Sequence, residues 1–229
     1  MPKPVLQFIL LLLIALPPRL EAATVVNLLN NGEFTGSLAG WTSAGTVFNT
    51  GDTAVLADSA AVPVAVLQTG SLPDGVVELL LTFDYLDGLS TAVSGGFLRD
   101  TFFATLYGGG QPFGGTLAGG VYEQAVGLFD LDANGVFNVA PGGSFGPSPK
   151  GAGWTRFTLT QAATPAFAAP GFATVAFEYH NLNGIAADSV MAVDNVSLLA
   201  VVPEPGPAAL LLMSATLLGC LRRRPNLHP

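Results

Sequence analysis

Carboxylates are the most abundant ionisable groups in this sequence. Residues 24–202 hold fourteen Asp and Glu side chains and three cationic ones, Arg99, Lys150 and Arg156, so the stretch has a formal charge of −11. Such a charge repels the phosphates of nucleic acids, and we therefore expect no nucleic-acid partner. An acidic surface also attracts divalent cations, which carboxylate oxygens bind.

Asp194 is the carboxylate whose position in the chain is most informative. Val190, Ala192, Val196 and Leu198 share its parity along one predicted strand, so strict alternation places Asp194 on the buried face. Because an isolated buried charge is costly, the carboxyl must be protonated, accept hydrogen bonds from backbone N–H groups or bind a cation. The backbone and cation options would both be architectural, and neither is catalytic.

The residues needed for hydrolytic chemistry are few. His180 is the one histidine in residues 24–202, and its strand position predicts a solvated sheet face rather than a Ser-His-Asp triad. Cys220, the one cysteine of the chain, lies near its end. Asp84 and Asp87 could pair as in a glycoside hydrolase, but Asp84 alternates to the outer face of its strand and Asp87 begins a predicted turn. We predict no enzyme, with a secreted glycoside hydrolase as the lesser alternative.

Two tryptophans are candidates for stacking on sugar rings. Trp41 follows a glycine in a turn-rich segment, and Trp154 begins an alternating strand. An indole ring can serve as a flat platform for a sugar or fill a hydrophobic core. The positions of both residues favour the core, and glycan stacking is the alternative.

The segment Asp130–Gly135 has oxygen ligands at alternate positions followed by glycine, like the start of an EF-hand calcium loop. Pro141 occupies the position where such a loop needs a bidentate Glu, and no flanking helices are predicted. A turn joining two strands is the simpler interpretation.

Apolar residues with a period of two predict an all-β sandwich. Leu79, Leu81, Phe83 and Tyr85 share one face of a strand, and two such faces packed together form a core. Clusters of Gly, Pro, Asn and Asp separate about ten predicted strands. These strands are Val25–Leu29, Gly45–Asn49, Ala54–Leu56, Val64–Gln68, Val76–Leu86, Thr101–Tyr107, Val126–Phe129, Trp154–Thr160, Ala173–His180 and Ser189–Ala200.

Two glycine-rich segments, Gly108–Gly120 and Ala140–Gly153, interrupt the strands. Segments of this length and composition are typical of flexible surface connections. Loops at the rim of a sandwich also form binding clefts, which is the alternative interpretation. Neither segment has the strand-to-helix context of a phosphate-binding loop.

The first residues of the chain are typical of a secretion signal. Val5–Leu16 is an apolar run, Pro17 and Pro18 follow it, and Ala22 and Ala23 offer small residues for cleavage. The run is too short to cross a hydrocarbon core of about 30 Å. We therefore expect a signal peptide over residues 1–23 and a folded domain over residues 24–201.

Residues 202–229 contain three parts in a fixed order. Pro203, Glu204 and Pro205 are followed by the apolar run Ala208–Leu221 and then by three arginines. As a helix the run would span about 22 Å, which suits a transient anchor, and the arginines should remain cytoplasmic. The arginines are Arg222, Arg223 and Arg224.

This tripartite ending resembles the PEP-CTERM sorting signal of Gram-negative bacteria. The resemblance implies that an exosortase recognises Pro203, Glu204 and Pro205, with the arginine cluster completing the signal. It also implies transient contact with the inner membrane and delivery to the cell envelope, the cell surface or the medium. The resemblance covers about the last 28 residues of the chain.

The segments Asn27–Phe34, Gly40–Trp41 and Met191–Leu198 are similar to the first and last strands of galactose-binding-like jelly rolls, including carbohydrate-binding modules. The resemblance implies an antiparallel two-sheet jelly roll in which Asp194 pairs with the opening segment. That pairing would run through backbone groups or through a structural calcium held with Glu33. Thr35 stands where many such modules have an acid, which puts a copied calcium site in doubt.

Together these features predict an exported, non-enzymatic jelly-roll protein that an exosortase sorts and that is associated with extracellular polysaccharide. An alternative is that the domain itself is a glycan-binding module, with or without calcium. The two tryptophans or a loop aromatic would then contact the sugar.

Overall fold

A computed structural model describes residues 23–58, 64–92, 99–109, 124–164, 167, 171–185 and 188–204. These residues form thirteen strands: β1 Ala23–Asn27, β2 Thr42–Ala44, β3 Val47–Asn49, β4 Ala54–Ala57, β5 Val64–Leu72, β6 Glu78–Gly88, β7 Thr101–Gly109, β8 Gln124–Asp132, β9 Gly135–Phe137, β10 Gly143–Pro147, β11 Trp154–Ala162, β12 Gly171–His180 and β13 Val190–Pro203.

Several sequence predictions fall on other residues. Residues 1–22 of the predicted signal peptide (residues 1–23), Pro205 with the rest of the predicted sorting tail, and positions 110–120 of the first glycine-rich segment lie outside the described residues. Within the described ranges, no helix has the length and apolar character needed to cross a membrane.

The strands form two antiparallel sheets. Sheet A has the order β10-β11-β6-β13-β4-β3, with β1 also paired to β13, and sheet B has the order β2-β5-β12-β7-β8-β9. The predicted all-β sandwich of two antiparallel sheets is thus confirmed. Val25–Val202 forms one compact unit, and Ala23, Thr24, Pro203 and Glu204 are assigned to a second one.

The inner faces of the two sheets meet in an aromatic core. Phe83 of β6 stacks on Phe129 of β8 and meets Phe177 of β12 edge to face, with ring centroids 5.8 and 4.8 Å apart. Phe157 of β11 lies 5.3 Å from Phe83, and all four rings are fully buried. Close aromatic packing stabilises the sandwich beyond the burial of apolar area.

A β-bulge in β13 reverses the predicted facing of Asp194. The register with β6 shifts between Asp194 and Ser197, and Asn195 has a positive φ of 50°. Before the bulge Met191 and Val193 are fully buried in the core. Asp194 therefore lies on the outer face of sheet A, and the prediction that it shares the inner face was wrong because a bulge inserts one residue into the alternation.

The segment Ala140–Gly153, which was predicted to be a flexible connection, also contains a strand. It contains β10, whose Gly143–Pro147 pairs with Thr155–Leu159 of β11 at the edge of sheet A. The predicted turn between Asp132 and Gly135 is confirmed: β8 and β9 pair across it, and Asn134 N donates to Asp132 Oδ1 at 2.6 Å.

Candidate functional site

A buried ion pair lies on the outer face of sheet A. Asp84 is opposite Arg156 on β11 and opposite Asp194 on β13, so the three side chains share one face. Nε and Nη2 of Arg156 donate to the two carboxylate oxygens of Asp84, each at 2.8 Å, and Asn195 Nδ2 donates to Oδ2 at 2.6 Å. Asp84 faces outward as predicted, yet these neighbours leave it fully buried.

The pKa of Asp84 is the result of opposing influences. Burial raises the pKa, but hydrogen bonds from Arg156 and Asn195, the positive charge of Arg156 and a hydrogen bond with Ser148 together hold it below the ordinary Asp value. The carboxylate is therefore ionised at neutral pH. The same pairing raises the pKa of Arg156.

Asp194 has a different partner from the one the sequence suggested. Lys150, from the loop between β10 and β11, donates to Asp194 Oδ2, and the backbone N–H of Asn195 donates to Oδ1 at 2.6 Å. Burial outweighs these two contacts and the charge of Lys150, so the pKa of Asp194 is raised. The predicted pairing of this carboxylate with the opening segment was wrong in its partner.

The residues around Asp194 do not fit the structural calcium considered above. The Lys150 ammonium and the Asn195 N–H each donate to one of the two carboxylate oxygens. Glu33 is exposed at the rim of a pocket, and among the described residues no three His, Cys, Asp or Glu side chains are grouped to hold a metal. A calcium ion at Asp194 would lie beside the Lys150 ammonium, whose positive charge would repel it.

The opening segment does contact the closing strand, but at Val196, two residues after Asp194. Val196 N donates to Gly32 O at 2.9 Å. A Cβ on Gly32 would lie 1.8 Å from the carbonyl oxygen of Val196, so only glycine fits at this contact. Asn31 and Phe34 flank it with positive φ angles of 50° and 47°. The opening motif is therefore an architectural clasp between the two ends of the domain.

An open pocket of about 520 Å³ lies where this clasp meets the ion pairs. Arg156 of β11 reaches it from one side, and the opening segment and the bulge of β13 form the others. Its lining is mostly polar, through Asn27, Asn31, Glu33, Thr35, Arg156, Asn195 and Ser197, with Leu29, Gly32, Pro149 and Val196 completing it.

The outer face of sheet B carries a second cluster of polar and aromatic side chains. On β12, Ala173, Val175, Phe177 and Tyr179 point into the core, so the alternate residues face outward. One cross-strand row on that face consists of Ala65, Glu178, Phe103, Asp130 and Phe137. The next rows are Leu67, Ala176, Thr105 and Gly127, then Thr69, Thr174, Tyr107 and Ala125.

Glu178 is held at the centre of this face. Tyr107 OH donates to its Oε1 at 3.4 Å, and His180 Nε2 lies 3.3 Å from its Oε2. The Phe103 ring meets the His180 ring edge to face at 4.9 Å. Burial, with the nearby charge of Glu178, raises the pKa of Tyr107. We name Phe103, Tyr107, Glu178 and His180 the sheet B cluster.

The two tryptophans occupy different environments. Trp41 is 8% exposed, packs against Phe34 and Phe177 in the core, and donates from Nε1 to Asn31 O at 3.1 Å. A sugar could not stack on this ring without opening the core. Trp154 is half-buried, opposite Leu86 on β6, and the Lys150 ammonium lies 4.7 Å from its ring centroid.

Other predicted residues lie apart from both sites. Asp87 is exposed at the end of β6, where Oδ1 accepts from Leu89 N at 2.9 Å, as expected of a turn. Pro203 ends β13, and Glu204 Oε1 accepts a hydrogen bond from Thr24 Oγ1 at 3.3 Å. Asp84 is bound to Arg156, so it does not form an open carboxylate pair with Asp87.

Comparisons with known proteins give distant structural similarities. The chain is 14% identical to the enzymatically active domain of bacteriophage CBA120 tailspike protein 4, with a TM-score of 0.45, over 76% of this chain and 21% of that one. It therefore spans about a fifth of the tailspike chain. No family model matches the sequence, and no curated protein matches it either.

Two further similarities cover nearly the whole of the other protein. One is to the module TmCBM61 in complex with β-1,4-galactotriose, at 13% identity and a TM-score of 0.38, covering 76% of this chain and 97% of that one. The other is to a Bauhinia forficata lectin in complex with GalNAc, at 12% identity and a TM-score of 0.42, covering 80% and 99%. With TM-scores below 0.5, inferences about function depend on this chain's own residues.

Neither the ion-pair network nor the sheet B cluster was identified as a site from sequence. Lys150 is 44 residues from Asp194, and local patterns do not pair residues at such separations. The signal that was available for sheet B is the alternation on β7 and β12, where Phe103, Tyr107, Glu178 and His180 all fall on the non-core parity.

Proposed function

We propose that this chain is an exported jelly-roll protein that binds a neutral polysaccharide on the outer face of sheet B. The observation that carries the proposal is the fixed position of Glu178 between Tyr107 and His180, with Phe103 packed against the histidine. Carboxylate oxygens accept hydrogen bonds from sugar hydroxyls, and aromatic rings offer apolar faces to sugar C–H groups.

The rows beside the cluster favour an extended ligand. Between the row of Glu178 and the row of Tyr107 lie the small residues Ala176, Thr105 and Gly127. Ala176 is only 1% exposed, so a saccharide chain that crosses these strands would rest mainly on the longer side chains of the two flanking rows. It would contact several strands at once.

The charges on this face favour a neutral sugar. Asp130 and Asp132 lie on β8 beside β7, where they pair with Phe103 and Thr101, and Glu178 lies opposite Phe103 on β12. Acidic side chains repel uronate and sulfate groups. The same face should therefore discriminate against acidic polysaccharides.

The connections between sheets support the jelly-roll assignment. Along the chain β4 belongs to sheet A, β5 to B, β6 to A and β7 to B, and β11, β12 and β13 alternate in the same way. Connections that cross repeatedly between two antiparallel sheets are typical of jelly rolls.

Export and sorting follow from the two ends of the sequence. We propose that the signal at residues 1–23 is removed and that an exosortase processes the chain at Pro203-Glu204-Pro205. Intact-mass measurement of the protein made with and without an exosortase tests this step. A C-terminal mass that is the same in both hosts contradicts it.

The binding proposal is tested by affinity electrophoresis of the full-length protein in gels that contain neutral polysaccharides. Tyr107→Ala and Phe103→Ala should each reduce retardation. Phe48→Ala is the matched control, because Phe48 is a 46% exposed aromatic on sheet A. Equal retardation of all variants, or none of the wild type across xylan, mannan, galactan and β-glucan, contradicts the proposal.

We further propose that the domain is not a hydrolase. Its two outward-facing buried carboxylates, Asp84 and Asp194, are each bound to a cation, Arg156 and Lys150. A glycoside hydrolase needs two carboxyls that reach the glycosidic bond. Release of reducing sugar from any polysaccharide that the protein binds would contradict this assignment.

A further inference from the structure

We propose that the pocket on the outer face of sheet A is a second saccharide site, which takes a neutral sugar independently of the sheet B cluster. This inference goes beyond the function proposed above and depends on different residues. The pocket holds about 520 Å³, which lies within the usual range for sites that bind small ligands.

The lining offers both donors and acceptors. Arg156 uses Nε and Nη2 for Asp84, so its Nη1 edge is not used by that pair, and the side chain is 34% exposed. Asn195 binds Asp84 through Nδ2, and Asn31 binds the Ser37 and Ala39 carbonyls through Nδ2, so neither bond uses the amide oxygen. A ligand that matches this set must donate and accept, as sugar hydroxyls do.

Charge argues for a neutral ligand rather than an ion. The positive charge of Arg156 is neutralised by its ion pair with Asp84, and Glu33 is exposed at the rim of the pocket. An anionic ligand would therefore meet Glu33 with no unpaired cation to offset it. A metal cation would meet the Arg156 guanidinium.

Part of the lining suits the apolar face of a sugar ring. The exposed Pro149 offers the main apolar surface of the lining, because Leu29 and Val196 are only 4% and 3% exposed. Binding pockets commonly combine such apolar surface with a few fixed polar groups.

The polar groups are fixed before any ligand arrives. Gly32 is clasped to Val196, Asn195 is held by Asp84 in the bulge, and Arg156 is held by a bidentate pair. Groups that do not need to be ordered on binding reduce the entropic cost of association. This separates the pocket from a chance surface depression.

Two sites on the outer faces of opposed sheets have a consequence for the whole domain. One copy would hold two saccharide chains, one on each side of the sandwich, and so cross-link them without forming a dimer. Linked binding events of this kind raise the apparent affinity for a polymer well above that for an oligosaccharide.

The test is calorimetric titration of the full-length protein with cello-, xylo-, manno- and galactohexaose, and with hexagalacturonate as the acidic probe. Thr35→Trp places a bulky ring at the exposed pocket rim, and Ser197→Tyr blocks it from β13. Thr50→Trp, equally exposed but outside the lining, is the control. At least one neutral hexaose should bind at two sites per copy of the wild type and of T50W, and at one site per copy in T35W, in S197Y and in Tyr107→Ala, because each substitution weakens one site about tenfold or more.

The outcomes separate the two proposals. One hexaose bound per wild-type copy, lost in Tyr107→Ala and kept in T35W and S197Y, overturns the pocket site alone. One hexaose bound per wild-type copy, lost in T35W and S197Y and kept in Tyr107→Ala, overturns the sheet B proposal alone. No binding to any neutral hexaose, or preferential binding of hexagalacturonate in the pocket, overturns the pocket site as a neutral saccharide site.

Discussion

Asp84 and Asp194 are adjacent buried carboxylates whose environments differ. Arg156, Asn195 and Ser148 hold the pKa of Asp84 low against burial, whereas burial raises the pKa of Asp194 despite Lys150. A lowered carboxyl pKa contributes stability above the unfolded pKa that is lost as pH falls through the folded pKa. A carboxyl pKa that folding raises costs stability at pH values above the folded pKa, because folding then favours the protonated form. This cost disappears as the pH falls below the unfolded pKa.

Lys150→Met should therefore destabilise the domain in a pH-dependent way. Removing the ammonium leaves Asp194 buried and unpaired, which we expect to cost about 2 to 3 kcal/mol near neutral pH, since the Lys150 side chain is itself 24% exposed. The loss raises the pKa of Asp194 further, so the deficit shrinks as pH falls. Urea unfolding at about pH 8 and about pH 5 measures it.

Lys150→Arg is the control for this prediction, because it keeps a cation beside Asp194. Its stability should stay within about 1 kcal/mol of wild type at both pH values. A K150M deficit that is the same at both pH values would mean that Asp194 does not control it.

Gly32 gives a steric prediction. Gly32→Ala places a methyl group 1.8 Å from the Val196 carbonyl oxygen, so the opening segment must move away from β13. We expect a loss of about 3 kcal/mol or more in the free energy of unfolding, together with weaker binding in the adjacent pocket. Thermal and urea unfolding measure the first effect.

Gly146→Ala in β10 is the matched substitution, because a Cβ there meets no atom within 4 Å and its backbone needs no positive φ. It should change stability by less than about 1 kcal/mol. Equal losses of unfolding free energy in G32A and G146A would show that the contact between Gly32 and Val196 contributes little to stability.

Among the elements, β13 shows how one residue determines which side chains face the core. Its bulge places both Asn195 and Val196 opposite Phe83, between the pairs Asp194–Asp84 and Ser197–Thr82. Met191 and Val193 face the core before the bulge, and Val196 and Leu198 after it.

The bulge makes the effects of two deletions predictable. Deleting Asn195 restores strict alternation with Val196 and Leu198 still facing inward, so the domain should fold, with about 2 to 3 kcal/mol lost from the missing contacts with Asp84 and Asp194. Deleting Ser197 also removes the extra residue, but Asn195 would then face the core and Val196 would face outward, so the loss should exceed that of the Asn195 deletion by about 2 kcal/mol or more. Thermal unfolding measures the difference, and equal losses in the two deletions contradict the assignment.

The strands show what the sequence could and could not predict. Alternation on β6 and β12 was sufficient for the sandwich and its core, because Phe83 and Phe177 follow a period of two without interruption. The bulge was invisible, since Val190, Ala192 and Val196 keep one parity in the sequence while lying on both faces. β10 was missed because glycines and a proline hide a short edge strand.

Side-chain partners between distant strands were the other limit. Burial of Asp194 implied a partner, but nothing in the local sequence identifies Lys150 as that partner. Lys150 reaches Asp194 from a loop whose position in space could not be predicted from the sequence. The pairing of Arg156 with Asp84 likewise depends on β11 and β6 being neighbours. The charge composition did limit the possible cationic partners of each carboxylate, because residues 24–202 contain only three Lys and Arg side chains.

At the scale of the whole molecule, acidity favours the neutral ligand that we propose. Two of the three cations in residues 24–202 are paired with buried carboxylates, so most of the remaining acidic side chains stand without such a partner. We expect binding of a neutral polysaccharide to change less than about twofold between low and high salt, because uncharged contacts are not screened. Affinity electrophoresis across a salt series measures it, and a steep salt dependence contradicts the assignment.

The most direct test of the central claim is a crystal structure of the protein soaked with a neutral hexaose that it binds. We expect saccharide density across sheet B, with a hydroxyl within hydrogen-bond distance of Glu178 and a sugar ring against Tyr107 or Phe103. Saturating hexaose that leaves the outer face of sheet B empty while occupying another surface would contradict the account.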